Sequence, residues 1–502
     1  MCRAVFLLLL FSTAGTAAAA GQTPVEGDVM VNWGNVVTTS TSTPTLQVVV
    51  NPMLLRGAKL HDGAFNALRQ LGAGYVRYVP WLPYPKQAVA ELEPPADGKT
   101  SWDFAHIDPT LDDFMKATEG HSVVLNFSTI PAWMWKTDKP VSYPNDPNQV
   151  FWTYTQGTEL RDPSMKEASE YLARLLAWYT QGGFTDEFGK RHESGHHYNV
   201  AYWEVLNEID FEHHWSPEIY TRFYDAVTAA MRKVDPDIKF MALALAQPSV
   251  GSAPAMFEYF LNPANHTPGT PIDFITYHFY AHPTPEQGIG EWQYTFFDEA
   301  EGFLGTVRYV EAIRRRYNPS VRTDLNELGV ILSEDEKEIH NAGYVAKPEP
   351  AGYWNLAGSL YAYLYMQGSR MNIDVLGESQ LVGYRSQFPS VSMVNYETGE
   401  PNARYWVLKL LKDNFGPGDK LVETTNSNPD YAAQAFETKS GKKLLLLNKR
   451  NREEPVTLPK EAEGADIAVV APSTGDRPAA QEKLSGRSLT LQPFEVAVIT
   501  LH

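Results

Sequence analysis

The sequence predicts a (β/α)8 TIM barrel followed by a C-terminal β-sandwich, and three observations carry that expectation. Between about residues 45 and 410, short apolar runs of strand type alternate with amphipathic helical stretches. A parallel sheet covered by helices has this pattern, because its strands are buried on both faces and lose their in/out alternation. Eight such runs occur, the number that closes a barrel. Beyond Leu411 the helical period stops, and short strands separated by turn residues fill roughly the last ninety residues, as in a sandwich.

In chain order, residues 1–20 read as a secretory signal peptide. Arg3 supplies the positive start, Leu7–Leu10 dominate the apolar centre and alanines fill the cleavage region. That apolar run is too short to span a bilayer, so the mature chain is expected to be exported and soluble. Residues 21–44 are rich in Thr and Ser and are expected to add edge strands to the sandwich. The barrel is expected over 45–410, with strands at 46–50, 75–79, 123–127, 201–205, 239–244, 274–276, 322–326 and 373–376. Helical patterns lie between them at 63–71, 107–118, 165–179, 217–234, 303–316 and 352–368, the fourth opened by Ser216 as N-cap and Pro217 at the first helical position. The longest connections, 136–161 and 282–301, follow the third and sixth strands and so fall on the barrel face that carries substrate loops. The sandwich, 411–502, is expected to use strands at 421–423, 432–437, 442–448, 454–458, 467–471, 488–491 and 496–501.

Composition narrows the function classes. A formal charge of −18 argues against nucleic acid or an anionic membrane as partner. The 12 Trp and 26 Tyr suit sugar recognition, although most are expected in the core. The only cysteine, Cys2, lies in the signal, so the mature chain has neither a disulfide nor a thiol nucleophile. Asn265-His266-Thr267 and Asn126-Phe127-Ser128 match the glycosylation pattern, the second on a buried strand. His196-His197 and His213-His214 are adjacent pairs whose rings diverge in regular structure, with no HExxH pattern nearby, so neither metal nor cofactor is expected. There is no GxSxG elbow, P-loop or GxGxxG.

What remains is carboxylate chemistry. The fourth strand runs into Asn207-Glu208, and Glu327 closes the seventh. Two carboxylates at strand ends of one barrel are the minimum for glycoside hydrolysis, one protonating the leaving oxygen and the other attacking the anomeric carbon. Glu208 is the candidate acid, because the preceding Asn207 amide can bind the neighbouring sugar hydroxyl. Glu327 is the candidate nucleophile. Asp324 competes for that role, although strict alternation sets it on the same face as Leu328 rather than Glu327. His278 and Tyr280, at the end of the sixth strand, are candidate partners of the nucleophile. Arg77 is a charge inside a buried strand and must be paired, either with the nucleophile or in an ion pair elsewhere. Trp133, just past the third strand, is either a sugar platform or loop packing.

These residues resemble clan A retaining glycosidases, and glycoside hydrolase family 39 in particular, which includes β-xylosidases and α-L-iduronidases. The likeness spans most of the barrel. It rests on Gly74-Tyr75-Val76-Arg77-Tyr78, Ser101-Trp102-Asp103-Phe104 leading to Ile107-Asp108, Trp203-Glu204-Val205-Leu206-Asn207-Glu208, Tyr277-His278-Phe279-Tyr280 and the Glu327 strand. The resemblance implies Glu208 as acid/base, Glu327 as nucleophile and a small β-sandwich packed on the barrel. This chain departs from the family's Thr-Glu-x-Asn nucleophile context, having Thr323-Asp324-Leu325-Asn326 before Glu327. The expectation is an exported enzyme acting on an oligosaccharide or polysaccharide, cutting from the end at a neutral sugar, because Lys136, Lys139 and Arg385 are the main cations of the substrate loops. The alternatives are an inactive carbohydrate-binding barrel and a clan A enzyme for uronides.

Overall fold

The computed structural model describes residues 27–501 apart from 153–156, 250, 252, 342–343 and 385–387. The signal segment and Arg385 lie outside the described residues. Eight parallel strands close into a barrel: Thr43–Val49, Val76–Val79, Val123–Leu125, Tyr202–Glu204, Lys239–Leu245, Phe274–Ala281, Arg322–Val330 and Val375–Glu378. The eighth returns to the first through Val375 opposite Thr43. Val124, Tyr202, Met241, Phe274 and Val375 plug the barrel where the strands begin. The polar interior residues are thereby left to the opposite, carboxyl-terminal end, where barrel enzymes work.

Three elements run well beyond the predicted bounds. The sixth and seventh strands continue as a ladder through Tyr280 opposite Gly329 and Ala281 opposite Val330. All of Phe274–Phe279 is buried, so this stretch has no alternation to betray its length. The predicted helix at 303–316 is the second half of a helix over Ile289–Tyr317, so the connection before it ends near Gly288. Its extra turns start where the Glu291 carboxylate accepts from the Gly288 N–H at 3.0 Å, and Trp292, Phe296 and Phe297 bury the continuing face. Gly302 and Gly305, poor helix formers, obscure that continuity in the sequence. By contrast, helix Pro217–Met231 starts as its cap dictates, with Ser216 Oγ accepting from Ile219 N.

The C-terminal region is a seven-stranded antiparallel sheet packed on the barrel. Alternation along its strands shows why both its faces are apolar: Leu444 and Leu446 with Ala497 and Ile499 enter one core, while Leu445 and Leu447 with Val496 and Val498 enter the other. The second core belongs to the barrel and includes Phe415, whose ring centroid lies 4.4 Å from that of Phe436. The first core is closed by a two-stranded ribbon, Glu454–Thr457 with Ser488–Leu491, which forms the second layer. Strand Val29–Thr39 pairs antiparallel with Lys420–Asn426 at the sheet edge, so the start of the described chain sits on the last domain. The final barrel helix, Ala403–Asn414, runs slightly past residue 410. No helix among the described residues is long and apolar enough to cross a membrane.

Candidate active site

Arg77 organises the site. It is 1% exposed, so its charge must be compensated inside the barrel. Nε donates to Glu204 Oε2 at 2.5 Å, Nη1 to Gln47 Oε1 at 2.6 Å and Glu327 Oε1 at 2.5 Å, and Nη2 to Asn207 Oδ1 at 2.6 Å. One planar fork thus fixes groups from the first, fourth and seventh strands and the loop after the fourth. Glu204, fully buried, also accepts from Asn126, from Thr276 Oγ1 at 2.5 Å and from Asn326 Nδ2 at 2.8 Å. Asn126 is consumed in that network, which removes it as a glycosylation site.

Glu327 reaches this layer through an irregularity of its own strand. In the pairing with the sixth strand, Asp324 faces Thr276 but Glu327 faces His278, three residues against two. Such a bulge reverses the alternation that follows it. Asp324 and Asn326 point inward before it, and Glu327 is turned inward after it. Asp324 lies one layer lower, 1% exposed, with Oδ1 unpartnered among the described residues. Burial, then the charge of Glu204, push its carboxyl well above the usual range, which leaves it neutral.

Glu208 is held by the turn after the fourth strand. Leu206 and Glu208 both adopt positive φ, 62° and 42°, and the Glu208 N–H donates to Ala244 O at 2.9 Å, on a fifth strand that is itself bulged. Non-glycine residues occupy this region at a cost and cluster where a side chain must be aimed. His278 Nδ1 lies 3.0 Å from Glu208 Oε1 and 3.5 Å from Glu327 Oε2, so it carries a proton between two acceptors. Tyr280 OH donates to Glu327 Oε2 at 2.6 Å and accepts from Ser379 Oγ at 2.7 Å. An oxygen of Glu208 and one of Glu327 stand within 4.8 Å of each other and of His278.

Environment separates the two carboxyls. Burial raises the Glu208 pKa, the charges of Glu327 and Asp210 add to this, and His278 opposes it. Burial pushes Glu327 upward too, but His278 and Arg77 outweigh it with help from the Tyr280 hydroxyl, and the net shift is downward. His278 is pushed down by burial and up more strongly by Glu327 and Glu208. Burial therefore favours the protonated form at Glu208, while His278 and Arg77 favour the anion at Glu327, a difference of environment suited to an acid and a nucleophile. Three convergent donors could also suit a cation, but Glu327 already accepts from Arg77 and Tyr280, and a guanidinium beside the site repels one. His213 belongs to no such cluster among the described residues: its Nδ1 lies 3.3 Å from Gly157 O and its ring stacks 4.6 Å from Trp135.

The carboxyls open into a cavity of about 380 Å³, lined also by Gln47, Asn207, Tyr280, Ser379 and Gln380. Its aromatic walls are Trp81, Trp152, Phe211 and Phe388. Trp133 is not among them, and of its two readings loop packing is the one its contacts fit. The short turn Ala132–Met134 directs its indole inward to donate to Glu91 O at 2.9 Å, with the Arg161 guanidinium 4.3 Å over the ring. Trp81 had a readable signal, since it directly follows the second strand. Trp152 and Phe388 sit in loops without periodicity and had none. No Lys or Arg occurs among the described lining residues. A larger hollow, about 610 Å³, lies among the loops after the second and third strands and contains none of these groups.

Comparison with known proteins agrees with the architecture. Residues 429–499 match a family model described as the C-terminal immunoglobulin-like domain of D-apionate lactonase, a segment that contains none of the site residues. No curated protein sequence matches the chain. Among solved structures, a family 51 α-L-arabinofuranosidase from Bifidobacterium longum superposes with TM-score 0.63 at 13% identity, over 96% of this chain and 100% of that one. A glycoside hydrolase family 30 endoxylanase from Clostridium papyrosolvens gives 0.54 at 15% identity, over 94% and 99%. A glucosidase from Croceicoccus marinus gives 0.57 at 14% identity, over 94% and 98%. The chain therefore shares its fold with these enzymes.

Proposed function

We propose that this protein is an exported, retaining glycoside hydrolase of clan A that removes a neutral sugar from the end of an oligosaccharide or polysaccharide. The observation that carries the reading is the approach of Glu208 and Glu327 to within 4.8 Å. An inverting enzyme keeps its carboxyls roughly 6.5–9.5 Å apart to seat a water, whereas a retaining one needs about 5–5.5 Å. Glu327, kept anionic by His278 and Arg77, attacks the anomeric carbon. Glu208 gives its proton to the leaving oxygen, and the glycosyl ester on Glu327 is released when Glu208 takes a proton from the incoming water. Asn207 binds the hydroxyl next to the anomeric carbon, where contacts strengthen in the transition state.

Membership of family 39 is supported by the motifs around Arg77, Glu208 and His278, and export by the leader-like residues 1–20. The absence of Lys and Arg among the described lining residues favours a neutral sugar over a uronide, whose carboxylate calls for cations. A cavity of about 380 Å³ favours one or two sugar rings and hence terminal cleavage. Screening aryl pentosides, hexosides and uronides, with product anomers followed by NMR from the first turnover, tests the reading. Turnover with retained configuration is expected. Inversion would overturn the mechanism, a uronide preference the substrate class, and oligosaccharide binding without any turnover would favour an inactive binding barrel.

A further inference from the structure

Glu212, in the loop after the fourth strand, belongs to no role derived so far. Its Oε1 accepts from Trp81 Nε1 at 2.8 Å and from Asn207 Nδ2 at 3.0 Å. Its Oε2 is buried without a hydrogen-bond partner among the described residues. Two donors converging on one oxygen while the other has none is the pattern of a neutral carboxyl, with Oε1 as its carbonyl oxygen. Burial pushes the Glu212 pKa well above the carboxylate range, in agreement.

The geometry acts on groups that line the cavity. Trp81 comes from the end of the second strand and Asn207 from the fourth, and both line the cavity. Arg77 Nη2 already holds the Asn207 oxygen, so the amide cannot flip without setting its NH2 against a guanidinium. Glu212 takes one of the two amide hydrogens, which leaves the other for the cavity. We propose that Glu212 is a positioning residue that locks the Asn207 amide and the Trp81 indole into one unit, aiming Asn207 at the sugar 2-hydroxyl. This deepens the glycosidase reading above and rests on it.

The test uses the aryl glycoside that the wild-type enzyme turns over best, together with its 2-deoxy counterpart. Glu212→Ala should lower kcat/KM about 10- to 100-fold on the 2-hydroxy substrate, the scale on which a misaimed transition-state contact acts. On the 2-deoxy substrate the same variant should lose at most the severalfold that a released Trp81 costs, because the Asn207 contact is absent there. Glu212→Gln keeps the carbonyl oxygen in place and should preserve most activity on both. Equal losses on the two substrates, or no loss on either, would overturn the assignment, as would a Gln variant as impaired as the Ala variant. A wild-type enzyme inert on every glycoside would overturn the glycosidase reading, and this assignment with it.

Discussion

Replacing Arg77 by Met removes the one cation that the barrel interior offers to both Glu204 and Glu327. The side chain is 1% exposed and donates to both carboxylates at 2.5 Å. Breaking a buried pair from one side costs roughly 3–5 kcal/mol, because the partner is left charged and dry. At about 2 °C per kcal/mol for a large domain, the melting temperature near pH 7 should fall by roughly 6–10 °C. The sign of the pH effect follows from Glu327, whose pKa is lower in the folded enzyme than the usual carboxylate value. Its stabilising contribution is present above the unfolded pKa and is lost as pH falls through the folded one. The melting gap between wild type and Arg77→Met should therefore be widest near pH 7 and narrow on acidification, as Glu327 takes up a proton. In the same variant the acidic limb of kcat/KM should move to higher pH, since Glu327 has lost one of the two cations that keep it ionised. Differential scanning calorimetry across pH, beside a pH–rate profile, reads both effects. A gap that does not change with pH, with an unmoved acidic limb, would refute the electrostatic role given to Arg77.

The catalytic pair makes opposite predictions for leaving groups. Glu327→Gln should abolish turnover of every glycoside, whereas Glu208→Ala should spare activated aryl substrates relative to alkyl ones and regain rate with azide. If Asp324→Asn were the dead variant and Glu327→Gln active, the assignment along the seventh strand would be wrong. Trp133→Ala should leave KM unchanged and Trp81→Ala should raise it severalfold; a reversal in steady-state kinetics would mean that the sugar stacks outside the cavity described. Asp335 lies on helix Ser333–His340, accepts from Ser390 N at 3.2 Å and is pushed by burial up to about 7. The folded state then holds a proton that the unfolded chain releases near pH 4, so wild-type stability declines as pH rises between those values. Asp335→Asn should gain in melting temperature relative to wild type from pH 4.5 to pH 8, and a constant difference would contradict this.

The barrel was readable because most of its eight strands are buried, largely apolar runs alternating with helical periods, a signal that survives errors at the ends. The Asn207-Glu208 pair was readable for the same reason, as it follows such a run directly. Alternation was the weaker guide to the seventh strand: it separated Asp324 from Glu327 by face, while the bulge between them lets both turn inward at different depths. Nothing in composition or spacing marks a bulge beforehand. Trp133 was singled out by its place after a strand, yet its backbone turns it inward, and the walls that face the carboxyls come partly from Trp152 and Phe388 in aperiodic loops. Glu212 was silent because a carboxylate in a polar loop looks like surface until its partners are known.

The pairing of Val29–Thr39 with Lys420–Asn426 also dictates an order of events during synthesis. Val29 leaves the ribosome long before its partner Asn426 exists. At about 5–20 residues per second, the wait is roughly 20–80 s. Most of the barrel is synthesised in that interval, so this early strand is among the last to be paired. Meanwhile it must avoid the edge-to-edge association open to any unpaired strand. Its sequence is suited to waiting: Asn32, Gly34 and Asn35 interrupt the apolar residues, and Met30, Val36 and Val37 remain exposed in the finished structure. A chain truncated before residue 420 would strand this segment permanently, and should aggregate through it rather than yield a free barrel.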